Sequence, residues 1–135
     1  MATPRGIRNN NPGNIEKGTD WNGMASFQPD SRYITFESPE YGIRAMARIL
    51  RTYREKHHLS SIAEIIIRWA PPHENPTTSY IQFVADRAGV HPSSQLAFTD
   101  NEVASILKAM IRFENGQQPY DDTTVLAGIA MERTA

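Results

Sequence analysis

The sequence predicts a mainly α-helical single domain with a small β element, spanning residues 1–135. Three observations carry this. Apolar residues recur at helical spacing over most of the chain after Phe36. Helix-start signals precede several of those stripes. One short β-prone run, Tyr33-Ile34-Thr35-Phe36, precedes them.

The first 32 residues are rich in Asn, Gly, Pro and Asp. They read as an ordered loop region anchored by Ile7, Ile15, Trp21, Met24 and Phe27, and the run at 33–36 is expected to pair with the stretch near Trp21 to Phe27. Ser38-Pro39 then reads as a cap followed by proline at the first helical position. Ile43, Met46, Ala47, Ile49, Leu50 and Tyr53 form the stripe of the helix it opens. Lys56-His57-His58 places positive charge at the exit, where the helix dipole favours it. Ser61-Ile62-Ala63-Glu64 is a capping box for a second helix with Ile62, Ile65, Ile66 and Trp69. Pro71-Pro72 ends it. A third helix carries Tyr80, Phe83 and Val84 and stops at Gly89. Thr99-Asp100-Asn101-Glu102 is a second capping box, opening a helix with Val103, Ile106, Leu107, Met110 and Ile111 on one face. Asp121-Asp122 caps a last helix through Val125, Leu126 and Ile129.

Composition narrows the function classes. Net charge is −1, with 39% hydrophobic and 21% charged residues, which gives no electrostatic case for nucleic acid as the main partner. There is no cysteine, so thiol chemistry is excluded and no disulfide is needed. No apolar run approaches a membrane span, and Met1 to Gly6 lacks the apolar core of a signal peptide. Export is therefore expected by another route. The four histidines lack ligand spacing, so no metal is expected, and no cofactor motif is present.

The segment of greatest chemical interest is Ile111-Arg112-Phe113-Glu114-Asn115-Gly116. It delivers an acidic residue at a helix end, beside an aromatic ring, into a glycine turn. A negative charge there is opposed by the helix dipole, a misfit that favours function over chance. Most acidic residues are simply solvated, and an exposed Glu before a glycine cap is the ordinary alternative. Cleaving a glycosidic bond requires a carboxylic acid to protonate the leaving oxygen, and apolar or aromatic surroundings help keep such an acid protonated. Glu114 is the candidate. Glu37 and Glu74 are candidate second carboxylates. Glu74 lies in a proline-stiffened loop, Trp69-Ala70-Pro71-Pro72-His73-Glu74-Asn75, which equally suits a rigid connector. Asn9-Asn10-Asn11 and Asn14 offer carboxamides that both donate and accept, as sugar hydroxyl and N-acetyl groups require. They equally suit a tight loop. Asn10, Asn14, Trp69, Glu74, Tyr80 and Tyr120 are the expected substrate-binding residues, and Asn10, Asn14, Glu74 and Tyr80 are also expected to orient Glu114. Trp21 and Tyr33 are further rings able to stack on sugars, although a core role is the better reading for Trp69.

Several motifs together resemble a known group. They are Arg5-Gly6-Ile7-Arg8-Asn9-Asn10-Asn11-Pro12-Gly13-Asn14-Ile15, Trp21-x-Gly23, Phe36-x-Ser38-Pro39-Glu40-x-Gly42-Ile43-Arg44-Ala45, Arg68-Trp69-Ala70-Pro71-Pro72-x-Glu74-Asn75 and Glu114-Asn115-Gly116-x-x-Pro119-Tyr120. They are similar to the small lysozyme-like virion proteins of tailed phages and prophages. A looser likeness is to lytic transglycosylases, in which a helix ending in the catalytic Glu comes first, before an Asn-rich loop, a Trp-x-Gly segment, a second loop and a Tyr-bearing helix. Here the Glu-bearing helix comes last. The chain thus resembles a circularly permuted transglycosylase domain with a lysozyme-like (α+β) fold. The resemblance implies cleavage of the bond between N-acetylmuramic acid and N-acetylglucosamine in peptidoglycan, with Glu114 as general acid and base. It also implies a place in a phage virion or host cell, action in the bacterial periplasm or cell wall, and other virion proteins as partners. The alternative is a non-catalytic virion component that keeps the fold and only binds glycan. Either way the C-terminal helix end must meet the N-terminal Asn loop.

Overall fold

A computed structural model describes residues 2–134; Met1 and Ala135, the two ends of the expected domain range, lie outside it. Six helices are formed: α1 Arg5–Arg8, α2 Pro39–His57, α3 Ile62–Trp69, α4 Thr77–Ala88, α5 Asp100–Asn115 and α6 Asp122–Arg133. Mainly α is therefore the observed class.

The caps act largely as their residues dictate. Glu64 N–H donates to Ser61 Oγ at 3.2 Å, and the Glu64 carboxylate accepts from Ser60 N–H at 3.1 Å. Glu102 N–H donates to Thr99 Oγ1, while its carboxylate accepts from the N–H groups of Ala97 and Phe98, both at 2.8 Å. Thr124 N–H donates to Asp121. Ser38 departs from expectation. Its backbone is extended, but its side chain makes no capping bond. Helix α1 is an addition: four residues within the expected loop region, too short to leave a periodic signal.

The β element is smaller than expected. Among the described residues it consists of two isolated bridges, Glu16 to Tyr33 and Met24 to Phe36. The run at 33–36 thus touches the expected partner near Met24, and also a second stretch at Ile15 to Lys17. The ladder stays short because a side chain replaces a strand. Thr35 N–H donates to Gln28 Oε1 at 2.8 Å, and Gln28 Nε2 donates to the Thr35 carbonyl at 2.7 Å.

Burial follows the apolar stripes. Ile43, Met46, Leu50, Ile62, Ile65, Ile66, Tyr80, Val84, Ile106, Leu107, Met110 and Val125 lie in one core shared by five helices. Ile34, Phe36 and Ala45 form a smaller cluster, against which Trp21 packs. Helix α2 packs on α6, and α5 packs on α4 and α6. Gly128 permits the α2–α6 approach: a Cβ there would stand 2.7 Å from Ile43 Cγ2. The same interface buries Glu132, whose carboxylate accepts from Arg51 Nε at 2.9 Å and lies 3.5 Å from Arg48.

The Asn-rich loop is fastened to this helical body. Asn10 and Asn14 both adopt φ +52, a left-handed conformation that Asn tolerates better than most residues. Asn11 is fully buried and bonds three backbone groups, the carbonyls of Ile15 and Ile34 and the Ile15 N–H. Asn115, at the end of α5, donates to the Pro12 carbonyl at 2.8 Å. The last residue of α5 is thereby tied to the loop that opens the chain.

Candidate functional site

Glu114 is half-buried in the wall of a cavity of about 350 Å³. Its carboxylate is held by three donors from three separate segments. Asn14 Nδ2 donates to Oε1 at 3.3 Å. Trp69 Nε1 and Tyr80 Oη donate to Oε2 at 3.3 and 2.9 Å. These residues come from the N-terminal loop, the end of α3 and the first turn of α4.

Packing aims each donor. The Tyr80 ring stacks on Phe113, with centroids 4.1 Å apart and planes 22° apart. Phe113 adjoins Glu114 on α5, so one helix turn supplies both the stacking surface for Tyr80 and the acceptor for its hydroxyl. Burial, followed by the neighbouring Glu114 charge and the hydrogen bond to it, pushes the Tyr80 hydroxyl far above the usual phenol range. Tyr80 is therefore a neutral, permanent donor. The Trp69 indole is set by Gly13, where a Cβ would lie 3.1 Å from Trp69 Cζ2 and 2.8 Å from Met46 Cγ. Asn14 is the weakest held. Its Oδ1 is buried without a hydrogen-bond partner among the described residues.

Ile15, Glu16, Arg32, Tyr33, Ile49, Tyr53, Pro71, Glu74 and Asn75 also line the cavity. Thr77 Oγ1 donates to the Ala70 carbonyl at 2.5 Å and Asn75 Nδ2 to the Pro71 carbonyl at 3.1 Å, closing the proline loop on itself. Asp30 fixes the backbone of the lining residues Arg32 and Tyr33. Its carboxylate takes both Arg5 Nε and Nη2 at 2.6 Å, the Asn9 carboxamide at 3.0 Å, and the N–H groups of Arg32 and Tyr33. The Arg5 contact above all, with the backbone bonds, holds Asp30 well below the usual carboxylate range.

The expected residues divide into two sets. Asn14, Trp69, Glu74, Tyr80 and Glu114 meet at or beside the cavity. Trp69 and Tyr80 do so as hydrogen-bond partners of Glu114. Glu74 is 70% exposed and paired with His73 at 3.4 Å. Asn10, Glu37 and Tyr120 do not line the cavity. The Asn10 carboxamide is spent on the Phe36 carbonyl at 3.1 Å, as loop closure requires. Glu37 is exposed outside it. Tyr120 packs against the main core, and burial, then the Glu40 charge, pushes its hydroxyl up to about 12. Tyr53 and Arg32 were missed as cavity residues. Tyr53 is indistinguishable in sequence from the core stripe of α2, and Arg32 carries no local signal. Among the described residues no three His, Asp or Glu side chains converge as metal ligands, and no helix is long and apolar enough to cross a membrane.

No family model matches the sequence. A relative does: over 120 residues, 86% of this chain and 74% of the relative, the sequence is 47% identical to protein P5 of Pseudoalteromonas phage PM2. The chain belongs to the family of phage PM2 protein P5. Its phage association is thereby shown. Within this P5-family chain, the residues gathered around Glu114 come from positions 13 to 114, so the cavity draws on most of the length over which a domain of this size folds.

Proposed function

We propose that the protein cleaves the β-1,4 bond between N-acetylmuramic acid and N-acetylglucosamine in peptidoglycan, with Glu114 as general acid. The observation that carries this reading is a half-buried carboxylate at a cavity wall, gripped by donors from three segments. In the reaction, Glu114 gives its proton to the glycosidic oxygen as the bond from that oxygen to the muramoyl anomeric carbon breaks. The carboxylate left behind is met by Asn14, Trp69 and Tyr80 without rearrangement. It then takes a proton from the nucleophile that attacks the anomeric carbon. In a lytic transglycosylase this nucleophile is the muramoyl 6-hydroxyl, giving an anhydro product; in a muramidase it is water. One carboxylate suffices for the first route, with the substrate acetamide stabilising the cation. The exposure of Glu74 and the position of Glu37 outside the cavity favour that route. The accompanying fold reading is a circularly permuted lysozyme-like domain. The accompanying biological reading is a virion-borne or host-expressed protein acting on the wall in the periplasm, beside other virion proteins.

One observation favours a non-catalytic virion component instead. The three bonds to Glu114 also tie three segments together, which is useful for stability alone. Purified protein incubated with sacculi separates the two readings. Glu114→Gln, with folding checked by circular dichroism, is expected to lower the rate about 10²–10⁴-fold. Mass spectrometry of released fragments is expected to show anhydromuropeptides; reducing ends would instead mark a hydrolase. A folded Glu114→Gln protein with full activity, or a wild type that releases nothing while the variant merely melts earlier, would sink the catalytic assignment.

A further inference from the structure

Among the described residues, the acidic and basic side chains lining the cavity are three carboxylates, Glu16, Glu74 and Glu114, and one guanidinium, Arg32. A ligand bearing its own carboxylate meets repulsion there everywhere except at Arg32. That residue is held ready. Asp30 accepts its backbone N–H at 2.9 Å, and the Tyr33 ring lies under its guanidinium at 5.1 Å. Arg5 also lies over the Tyr33 ring, at 4.7 Å, while bonding Asp30. The guanidinium itself is only loosely occupied. Nε and Nη2 both donate to a single oxygen, Glu16 Oε1, at 3.0 and 2.6 Å. The two side chains are 62% and 59% exposed, and pairs so exposed contribute little. Among the described residues Nη1 makes no hydrogen bond.

We infer that Arg32 is a specificity residue that receives a substrate carboxylate, exchanging Glu16 for it, and that Glu16 is the built-in competitor. The inference rests on the peptidoglycan reading, which supplies a ligand with such a group. The muramoyl branch carries either a free lactyl carboxylate or a peptide stem with carboxylates of its own. A planar guanidinium takes such a group through two parallel bonds, which its present one-oxygen contact with Glu16 does not provide.

The test is binding, measured by calorimetry in the Glu114→Gln background so that no ligand is consumed. Three saccharides are compared: muramoyl oligosaccharide with peptide stems, the same oligosaccharide with stems removed and lactyl carboxylates free, and a neutral N-acetylglucosamine oligomer. Arg32→Gln is expected to weaken the anionic ligands about fivefold, the magnitude of one exposed ion pair, and to leave the neutral oligomer unchanged. Loss confined to the stem-bearing ligand assigns the contact to a stem carboxylate; loss confined to the stem-free ligand assigns it to the free lactyl carboxylate; loss for both means that Arg32 takes a carboxylate of either kind. Glu16→Gln, by removing the competitor, is expected to tighten the same ligands. An Arg32→Gln protein that binds all three as before, or loses all three equally, overturns the inference and leaves the glycan reading standing. Failure of every saccharide to bind, in this background and in unmutated protein, overturns the glycan reading and the inference with it.

Discussion

At Tyr80 burial and charge act in the same direction. The hydroxyl is removed from water, faces a carboxylate, and has its ring pinned by Phe113. Tyr80→Phe keeps the stacked ring and deletes one donor to Glu114. A hydrogen bond to a charged group contributes about 1.5–3 kcal/mol, so the variant is expected to melt earlier by several degrees. If Glu114 is the acid, kcat should fall while KM stays nearly constant, because Tyr80 positions the carboxylate without touching substrate in this reading. An unchanged kcat in the melted-earlier variant would reduce Tyr80 to a stability role. Asn14 is a weaker link of the same kind. Its bond to Glu114 is 3.3 Å, and its buried Oδ1 has no hydrogen-bond partner among the described residues.

At the scale of elements, the α2–α6 contact pits propensity against packing. Replacing a mid-helix glycine by alanine ordinarily stabilises by about 1 kcal/mol. At Gly128 the new methyl would lie 2.7 Å from Ile43 Cγ2, 2.8 Å from Ile43 Cβ and 2.9 Å from the Glu40 carbonyl. Overpacking a closed interface costs about 1–3 kcal/mol, and two of the three obstacles are Cβ and backbone atoms that cannot swing aside. Gly128→Ala is therefore expected to lower the melting temperature, read by calorimetry; a rise would mean that α6 slides along α2 at little cost. The capping box before α5 makes a related trade. Phe98 adopts φ +58, an unusual conformation for a bulky side chain. The Glu102 carboxylate that takes its N–H, together with that of Ala97, compensates for it.

For the whole molecule, pH should limit stability from both sides. Asp30, Glu64 and Asp121 all have their carboxyls held below the usual range, Asp30 by Arg5 first, the other two by backbone N–H groups first. The unfolded chain therefore binds protons that the folded one does not as pH falls through about 4. The stabilisation from these groups is complete above that range and is lost on acidification. Tyr80 and Tyr120 are shifted the other way, mainly by burial. Their contribution is complete below about pH 10 and is lost as pH rises further. Denaturant midpoints measured from pH 2 to 12 should form a plateau with two falling edges, and Asp30→Asn should flatten the acid edge. An acid edge unaffected by that substitution would remove the Asp30 cluster from the account.

The sequence by itself determined the five longer helices, α2 to α6, because caps, prolines, glycines and apolar spacing act within a few residues of one another. Ser61, Thr99 and Asp121 cap where their neighbours require it, and Gly89 and Gly116 end helices at positive φ. It also marked Glu114 as a charge placed against its helix dipole. Only the tertiary structure decided what surrounds that charge. Asn14 lies 100 residues from Glu114 in the chain, Trp69 lies 45 and Tyr80 lies 34, and no local pattern records a contact at such separation. Packing likewise sorted the asparagines. Asn10 and Asn11 went to backbone carbonyls that had to be satisfied once buried, and Asn14 alone was turned toward Glu114. The β element shrank for a reason no propensity expresses, since one Gln28 side chain took the place of a strand.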